Sequence, residues 1–333
     1  MQRVSMVILG FLGSIALVRG ADSVVVDTEF VAKALARNAI VWDVRGEDDY
    51  RRGHIPGAVN LGDIQAELRD GNTEDYLPVA QLEKILGDHG IDPGKEIVLY
   101  GAKAMPQAYF GHVTLRYLGA TQAYVYHGGI DDWKAAGRET TTQTSTLPSI
   151  VLKAKVNSGV LVSTQEVLRK TQEGNVQIVD ARSSKEYNGE DIRALRGGRI
   201  PGAVNIPYET NWVDADTPRK LQRKLVANKD GMNLKDEAEL KRLYAGLDPN
   251  KETIVYCQSG SRASETATVL QNLGFKDVKV YDSSWLAWGN EFSAPVESAT
   301  YFNVGRVNNM LNQLQGRVDA LEAELEQLKQ RKQ

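Results

Sequence analysis

The chain has 333 residues, of which 42% are hydrophobic and 25% are charged, and its formal net charge is −3 at pH 7. A chain of this length and composition is expected to form about two globular domains, each with its own apolar core. A charge this close to neutral gives no reason to expect a nucleic-acid partner.

Residues 1–20 have the pattern of a secretory signal peptide. A short basic start, from Met1 to Arg3, precedes an uncharged and mostly apolar stretch over residues 4–18. This stretch is short for a membrane span, although an uncleaved anchor remains an alternative. No cysteine follows it, which disfavours a lipid-anchored protein. We expect cleavage before Ala21 and a periplasmic or secreted location.

The chain contains one pattern twice. Residues 55–60 read Ile-Pro-Gly-Ala-Val-Asn, and residues 200–205 repeat them letter for letter. Repetition with constant order and spacing indicates a duplicated domain. Further segments recur in the same order: 40–45 as 177–182, 92–100 as 248–256, and 123–126 as 278–281.

Each copy alternates short strands rich in valine and isoleucine with helical stretches such as residues 79–86. Apolar strands that alternate with helices are typical of a mostly parallel sheet covered on both faces. We therefore predict an α/β fold with tandem domains over residues 21–140 and 159–298. The polar segment at residues 141–158 is the predicted linker.

Cys257 is the only cysteine of the chain and follows the apolar segment 254–256. A thiol between the end of a strand and the start of a helix lies near backbone N–H groups and the positive end of the helix dipole. Both stabilise the reactive thiolate. A lone cysteine is often a buried small hydrophobe, but the polar residues after this one argue against that interpretation. We predict Cys257 as the catalytic nucleophile and the next residues as a loop that cradles an anion: Gln258, Ser259, Gly260, Ser261 and Arg262.

Arg262 adds a fixed positive charge to this loop. This charge serves either to bind an anion or to pair with a local carboxylate that shapes the loop. The first copy has Gly101 at the position of Cys257 and has no counterpart of Arg262. We therefore expect the first domain to be inactive and the second to be catalytic.

Two further arginines of the second copy are predicted to contact an anionic substrate. Arg182 ends the first strand segment of that copy, residues 177–182. Arg193 lies in an arginine-rich insertion, around residues 190–196, that the first copy lacks. We consider both as substrate-binding residues.

The chain resembles tandem-domain rhodaneses, which are sulfurtransferases with an inactive first domain and a catalytic second one. The matching motifs are the Ile-Pro-Gly-Ala-Val-Asn turns, the Cys-x-x-Gly-x-Arg loop at 257–262, and Tyr-Asp-Ser-Ser-Trp-Leu-Ala-Trp-Gly at 281–289. The resemblance implies that the Cys257 thiolate takes the outer sulfur of a small anionic donor such as thiosulfate. The persulfide then passes this sulfur to a thiophilic acceptor, cyanide or a thiol. We expect no cofactor and no metal.

The residues near the cysteine favour thiosulfate over 3-mercaptopyruvate as the donor. Animal thiosulfate enzymes of this family carry two basic residues where this chain has Gln258 and Ser259, and mercaptopyruvate enzymes carry Gly-Ser-Gly, which Ser259 and Gly260 match in part. Both animal types place an arginine where this chain has Glu186, which disfavours a carboxylate donor. The loop is closest to that of prokaryotic two-domain thiosulfate sulfurtransferases.

Other functions remain open at this point. Transfer from 3-mercaptopyruvate and a non-catalytic role as a sulfur carrier or binding module are the alternatives. Phosphatases with a rhodanese-like fold need five residues between cysteine and arginine to cradle a phosphate. Cys257 and Arg262 are separated by four, so phosphatase and arsenate reductase chemistry are disfavoured.

The C-terminal segment, residues 304–333, is predicted to form a coiled coil. Arg317 and Glu322, and likewise Glu324 and Lys329, have the spacing of pairs across a parallel interface. We predict a homo-oligomer, a trimer or a dimer, through residues 304–328, and the alternative is an amphipathic helix that lies back on its own domain. Eight apolar residues alternate three- and four-residue steps and form what we call the seam: Val304, Val307, Leu311, Leu314, Val318, Leu321, Leu325 and Leu328.

Overall fold

A computed structural model describes residues 23–330 of the chain. Within this range the chain forms two α/β domains of the same sheet topology, followed by one long helix, and the predicted fold class is confirmed. The predicted signal peptide at residues 1–20 lies outside the described residues and stays a prediction. No helix within residues 23–330 has the length and apolarity that a membrane span requires.

The first domain is a sheet of parallel strands with helices on both faces. Its strands are β1 (Val25–Val26), β2 (Ile40–Asp43), β3 (Val59–Asn60), β4 (Ile97–Tyr100) and β5 (Ala123–Tyr126). Its helices are α1 (Thr28–Ala36), α2 (Glu47–Arg52), α3 (Ile64–Leu68), α4 (Val79–Asp88), α5 (Pro106–Tyr117) and α6 (Gly129–Ala135). The strands lie in the order β1-β5-β4-β2-β3, and every pair is parallel.

The central strand β4 is apolar throughout because helices cover both faces of the sheet. Ile97 and Leu99 of β4 pack in the core cluster with α3, α4 and α5, whereas Val98 and Tyr100 pack in the cluster with α1, α2 and α6. Alternate residues of an extended strand point to opposite faces. A strand without polar positions is therefore stable only where both faces are covered.

The second domain repeats this sheet and adds a ribbon. Its strands are β6 (Leu161–Val162), β7 (Gln177–Asp180), β8 (Arg196–Arg199), β9 (Val204–Asn205), β10 (Thr253–Tyr256), β11 (Val278–Tyr281) and β12 (Glu297–Tyr301). Five of them form the parallel sheet β6-β11-β10-β7-β9. The other two, β8 and β12, pair antiparallel, so this domain runs to Tyr301, past the predicted boundary at 298.

Short helices surround the second sheet. They are α7 (Thr164–Glu173), α8 (Ser184–Tyr187), α9 (Thr217–Gln222), α10 (Glu237–Leu243), α11 (Ser261–Asn272), α12 (Ser284–Asn290) and two 3-10 helices, Tyr208–Asn211 and Asp230–Met232. Cys257 follows β10, the central strand of this sheet, and the loop 257–260 leads into α11. The sequence pattern of a strand, a loop and a helix is thus realised around the cysteine.

The predicted linker, residues 141–158, follows the surface of the first domain. The amide of Ile150 donates to the carbonyl oxygen of Gly87 at 2.9 Å, and Leu152 is buried in the core cluster that includes α4. The linker is therefore part of the packing of the first domain rather than a loose tether.

The two domains pack on each other through α5 and α11. Val113 of α5 belongs to an apolar core cluster of the second domain. Each domain also extends a segment over the loop that follows the other's central strand. Residues 65–75 contact the second domain near Cys257, and residues 229–232 contact the first domain near Gly101. The loop of Cys257 thus lies at the domain interface.

The last helix, α13 (Val304–Gln330), extends beyond the second domain. None of its residues is buried in the described part of the chain, and the seam residue Leu321 is 62% exposed. A helix that lies back on its own domain, the alternative considered from the sequence, is therefore not what the structure contains. The predicted oligomer stays a prediction.

Candidate active site

Cys257 is a free thiol at the end of β10 and at the base of its loop. It is 1% exposed and packs in the core cluster with Val255 and with Ala263 and Ala267 of α11. The small side chains of α11 allow the helix to begin directly beside the thiol. The cysteine is therefore buried, as in the alternative interpretation, but it is buried under a polar loop.

The peptide groups of the loop are oriented by α12. The carbonyl oxygen of Cys257 accepts the N–H of Trp285 at 3.0 Å, and that of Gln258 accepts the N–H of Leu286 at 3.0 Å. In a trans peptide unit the N–H points away from its carbonyl, so the amides of Gln258 and Ser259 point away from α12. Neither amide has an acceptor within residues 23–330. Both are available to hydrogen-bond an anion held by the loop.

Ser284 supports the cysteine and was missed by the sequence analysis. Its hydroxyl accepts the N–H of Cys257 at 3.1 Å and donates to the carbonyl oxygen of Tyr281 at 2.6 Å. Ser284 has φ +51, an unusual conformation for a residue other than glycine. Its counterpart in the first domain is Gly129, with φ +53. The repeat contained a signal for this residue. When the two copies are aligned, the copy with the cysteine has a serine at this position and the copy without a cysteine has a glycine.

Gly260 closes the loop in a conformation that only glycine adopts easily there. Its φ is +84, and an added Cβ would lie 2.5 Å from Asp282 Oδ1 and 2.8 Å from Arg69 Nη2. The backbone of Gly260 therefore packs directly on these two charged side chains. Asp282 and Arg69 were not identified from the sequence.

Gly260→Ala should lower the rate of sulfur transfer more than about tenfold, because its Cβ would displace the Asp282 carboxylate and shift the loop. The positive φ should also lower the free energy of unfolding by about 1–2 kcal/mol. Gly274→Ala is the matched control, since Gly274 has φ +91 but nothing within 4 Å of an added Cβ. Denaturant unfolding and steady-state transfer would be measured on both variants. Equal losses of rate in the two would contradict the expectation.

Arg262 is held by Glu186 of α8. Its Nη1 and Nη2 each donate to one carboxylate oxygen of Glu186 at 2.8 Å. Burial alone would raise the pKa of the Glu186 carboxyl, but the hydrogen bonds and charge of Arg262 lower it to about 2. Burial would likewise lower the pKa of Arg262, but the hydrogen bonds and charge of Glu186 raise it. The pair is thus fully charged, and the local carboxylate considered from the sequence is Glu186.

The insertion predicted at residues 190–196 reaches the loop. The Gln258 side-chain amide donates to the carbonyl oxygen of Arg193 at 2.7 Å. The Arg193 side chain is 51% exposed, and its Nη1 lies 3.3 Å from Glu186 Oε1. Arg193 therefore stands beside the site with most of its hydrogen-bonding capacity directed to solvent.

Arg182 does not reach the site, and its predicted role in substrate binding requires correction. The side chain is 1% exposed, pairs with Asp180 Oδ2 at 2.6 Å and donates to the carbonyl oxygen of Gly198 at 2.7 Å. In the first domain, Arg45 makes the same contacts with Asp43 and with a backbone carbonyl. Because the domain without a cysteine has the same arrangement, Arg182 is a structural residue that closes the turn after its strand.

The 3-10 helix Tyr208–Asn211 forms another side of the site. Burial raises the pKa of both the Tyr208 hydroxyl and the Glu209 carboxyl. The charges of Glu209 and Glu265 add to the rise in the pKa of Tyr208, and Arg262 opposes it. The Tyr208 ring packs against the core cluster that includes Cys257. No pattern in the sequence distinguishes these residues from other surface polar residues, so they could not have been predicted.

Comparison with known proteins now decides the family. A model of the rhodanese-like domain matches residues 27–136 and again residues 163–291. The chain belongs to the rhodanese family. This rhodanese is similar to the thiosulfate sulfurtransferase of Corynebacterium glutamicum, with 35% identity over 263 residues that cover 75% of this chain and 81% of that protein.

Solved structures agree with this assignment. SseA from Escherichia coli, described as a 3-mercaptopyruvate sulfotransferase, matches with a TM-score of 0.67 and 26% identity over 79% of this chain and 99% of SseA. The anaerobic ergothioneine biosynthesis enzyme from Chlorobium limicola, in complex with trimethyl histidine, matches with a TM-score of 0.70 and 25% identity over 82% of this chain and 69% of that chain. The protein is a rhodanese-family sulfurtransferase, and the resemblance inferred from the motifs is confirmed.

Proposed function

We propose that this rhodanese transfers the sulfane sulfur of thiosulfate to a thiophilic acceptor, cyanide or a thiol, through a persulfide on Cys257. The observation that carries the proposal is the loop over Cys257. Its thiol lies at the start of the loop, the amides of Gln258 and Ser259 are unpaired within residues 23–330, and Arg262 is held nearby. This arrangement supports binding of an anion next to a reactive sulfur.

The reaction needs two displacements at sulfur. The Cys257 thiolate attacks the outer sulfur of thiosulfate, the bond between the two sulfurs of the donor breaks, and sulfite leaves with the electron pair. A nucleophilic acceptor then attacks the outer sulfur of the Cys257 persulfide and regenerates the thiolate. With cyanide as the acceptor the product is thiocyanate. The loop amides would stabilise the negative charge that moves between the thiolate and the persulfide.

The residues around the loop support thiosulfate over 3-mercaptopyruvate. In mercaptopyruvate the carboxylate lies at the far end of a three-carbon chain from the sulfur, so its binding needs a cation at some distance from the thiol. At the position that holds an arginine in the animal enzymes, this chain has the ionised carboxylate of Glu186, which occupies Arg262. The sulfonate of thiosulfate is bonded directly to the reacting sulfur and would bind within the loop itself. The name of the Corynebacterium relative supports the same donor.

Steady-state sulfur transfer from thiosulfate and from 3-mercaptopyruvate, measured side by side with cyanide as acceptor, tests the proposal. We expect kcat/KM to be at least about tenfold higher with thiosulfate, which corresponds to about 1.4 kcal/mol of transition-state binding. A preference for mercaptopyruvate would overturn the choice of donor and leave the family assignment intact.

Intact-protein mass spectrometry separates an enzyme from a sulfur carrier. Incubation with thiosulfate should add one sulfur atom to the chain, about 32 Da, and addition of cyanide should remove it. A persulfide that forms but is not turned over by cyanide or by small thiols would favour the carrier alternative.

A further inference from the structure

The first domain places a buried charge against the catalytic loop. Arg69, which follows α3, is 5% exposed, and its guanidinium lies over the ring of Phe110 at 4.3 Å and over that of Tyr76 at 5.4 Å. Its Nη1 donates to the carbonyl oxygen of Glu74, and its Nη2 lies 2.5 Å from Oδ1 of Asp282 in the second domain. These contacts hold the guanidinium in one place across the domain interface.

Asp282 transmits this contact to the loop of Cys257. It follows β11 directly and packs against Gly260. A Cβ added at Gly260 would lie 2.5 Å from the Asp282 carboxylate and 3.0 Å from the Asp282 carbonyl oxygen. Next to it, Gln65 of the first domain donates to the hydroxyl of Ser261 at 2.7 Å. The first domain therefore contacts the turn of the loop and the first residue of α11.

The opposite interface, at the inactive loop, is built differently. The counterpart of Asp282 in the first domain is His127, which contacts the carbonyl oxygen of Met232 at 2.7 Å. Two ion pairs join the domains there. Lys229 and Asp131, 2.8 Å apart, are 37% and 32% exposed, and Lys103 lies 3.9 Å from Asp230, which is 73% exposed. Within residues 23–330, an ion pair between the domains with both members buried is thus found only at the loop of Cys257.

The Arg69–Asp282 pair is expected to fix the positions of its groups rather than to add to the free energy of unfolding. The side chains of Arg69 and Asp282 are 3% and 10% exposed, so both ions have lost most of their hydration. Desolvation of a buried pair commonly cancels the attraction between its members, whereas the pair still fixes a unique arrangement. Burial raises the pKa of the Asp282 carboxyl to about 6, with Arg69 opposing the rise and Asp75 adding to it.

We propose that Arg69 and Asp282 are positioning residues, through which the inactive first domain holds the loop of Cys257 in its reactive geometry. Neither residue needs to touch the sulfur donor. The pair fixes the backbone of Gly260, and with it the direction of the amides of Gln258 and Ser259. The inference rests on Cys257 as the nucleophile of the proposed function, but not on the identity of the donor.

The test compares the double variant Arg69→Met/Asp282→Asn, which leaves no lone buried charge, with Lys229→Met, which breaks the exposed ion pair at the opposite interface. The first readout is the rate constant for alkylation of Cys257 by iodoacetamide, which requires no sulfur donor. The second is kcat and KM for sulfur transfer. Alkylation rate and kcat should fall about tenfold or more in the double variant, while KM changes less than about twofold. Lys229→Met should stay within about twofold of wild type in all three values.

Two further variants change one member of the Arg69–Asp282 pair at a time. Arg69→Lys retains the charge of Arg69, so it should recover part of the alkylation rate that the double variant loses. Asp282→Asn alone retains the shape of the Asp282 side chain. This variant decides the question if the double variant does not fold. Alkylation as fast in the Asp282 variants as in Lys229→Met would overturn the proposal. A chain that alkylates at the expected rates but uses neither donor would instead count against the proposed function alone.

Discussion

Cys257→Ser should abolish persulfide formation and lower the rate of sulfur transfer by at least about a thousandfold, because covalent catalysis depends on the nucleophile. Cys257 is the only cysteine of the chain, so no second thiol can replace it. The buried hydroxyl should lower the free energy of unfolding by no more than about 2 kcal/mol. Transfer from thiosulfate to cyanide, intact mass after thiosulfate treatment, and denaturant unfolding measure these three effects. Appreciable transfer by the folded variant would refute the role of Cys257.

The first domain offers a control for this experiment. Gly101 occupies the position of Cys257 in the repeat, so Cys257→Ser/Gly101→Cys moves the thiol to the first copy. We expect this double variant to remain inactive, because an added Cβ at Gly101 would lie 2.5 Å from the sulfur of Met105. The neighbouring Lys103 is also committed to Asp132, at 2.8 Å. Recovered activity would mean that a thiol at this position suffices, and that the loop of the second domain contributes little.

The features that could be predicted from the sequence are those encoded by local order. Apolar strands such as 97–100 and 253–256 are recognisable because both of their faces are buried, and the letter-for-letter repeat then fixes the domain count. Cys257 and its loop were likewise evident, since a strand, a cysteine and a run of small polar residues are adjacent in the chain.

Contacts between distant segments could not be predicted. From the sequence, Glu186 was noted only because the animal enzymes have an arginine at its position. In the structure it binds Arg262, which lies 76 positions further along the chain. Arg69 and Asp282 are 213 positions apart and meet only because the domains dock in one orientation. Arg182 was assigned to the substrate because an arginine near an active site suggests an anion. Its burial under the turn after β7 depends on packing, and the matching Arg45 in the first copy was the signal that should have prevented the error.

We propose that the seam of α13 forms a parallel coiled coil between copies of this chain. Removal of residues 303–333 should therefore convert an oligomer into a monomer. Seven of the eight seam residues are exposed in the single chain, among them Leu311 at 56%, Leu321 at 62% and Leu325 at 52%, and Val307 is half-buried. A continuous apolar stripe of this kind is stable only when a partner covers it. Light scattering on the full-length and truncated chains at micromolar concentration measures the change.

The control and the catalytic readout make this test specific. Leu321→Asp places a charge within the seam and should weaken the oligomer, whereas Ala323→Asp, two positions further on and outside the seam, should leave it intact. Because no residue of α13 is buried against the domains, the truncated chain should keep the rate of sulfur transfer per protomer within about twofold. A full-length chain that is monomeric at micromolar concentration would show that the seam does not join copies of this chain. A truncated monomer with lost activity would instead mean that assembly supports the loop of Cys257, which the arrangement of the single chain gives no reason to expect.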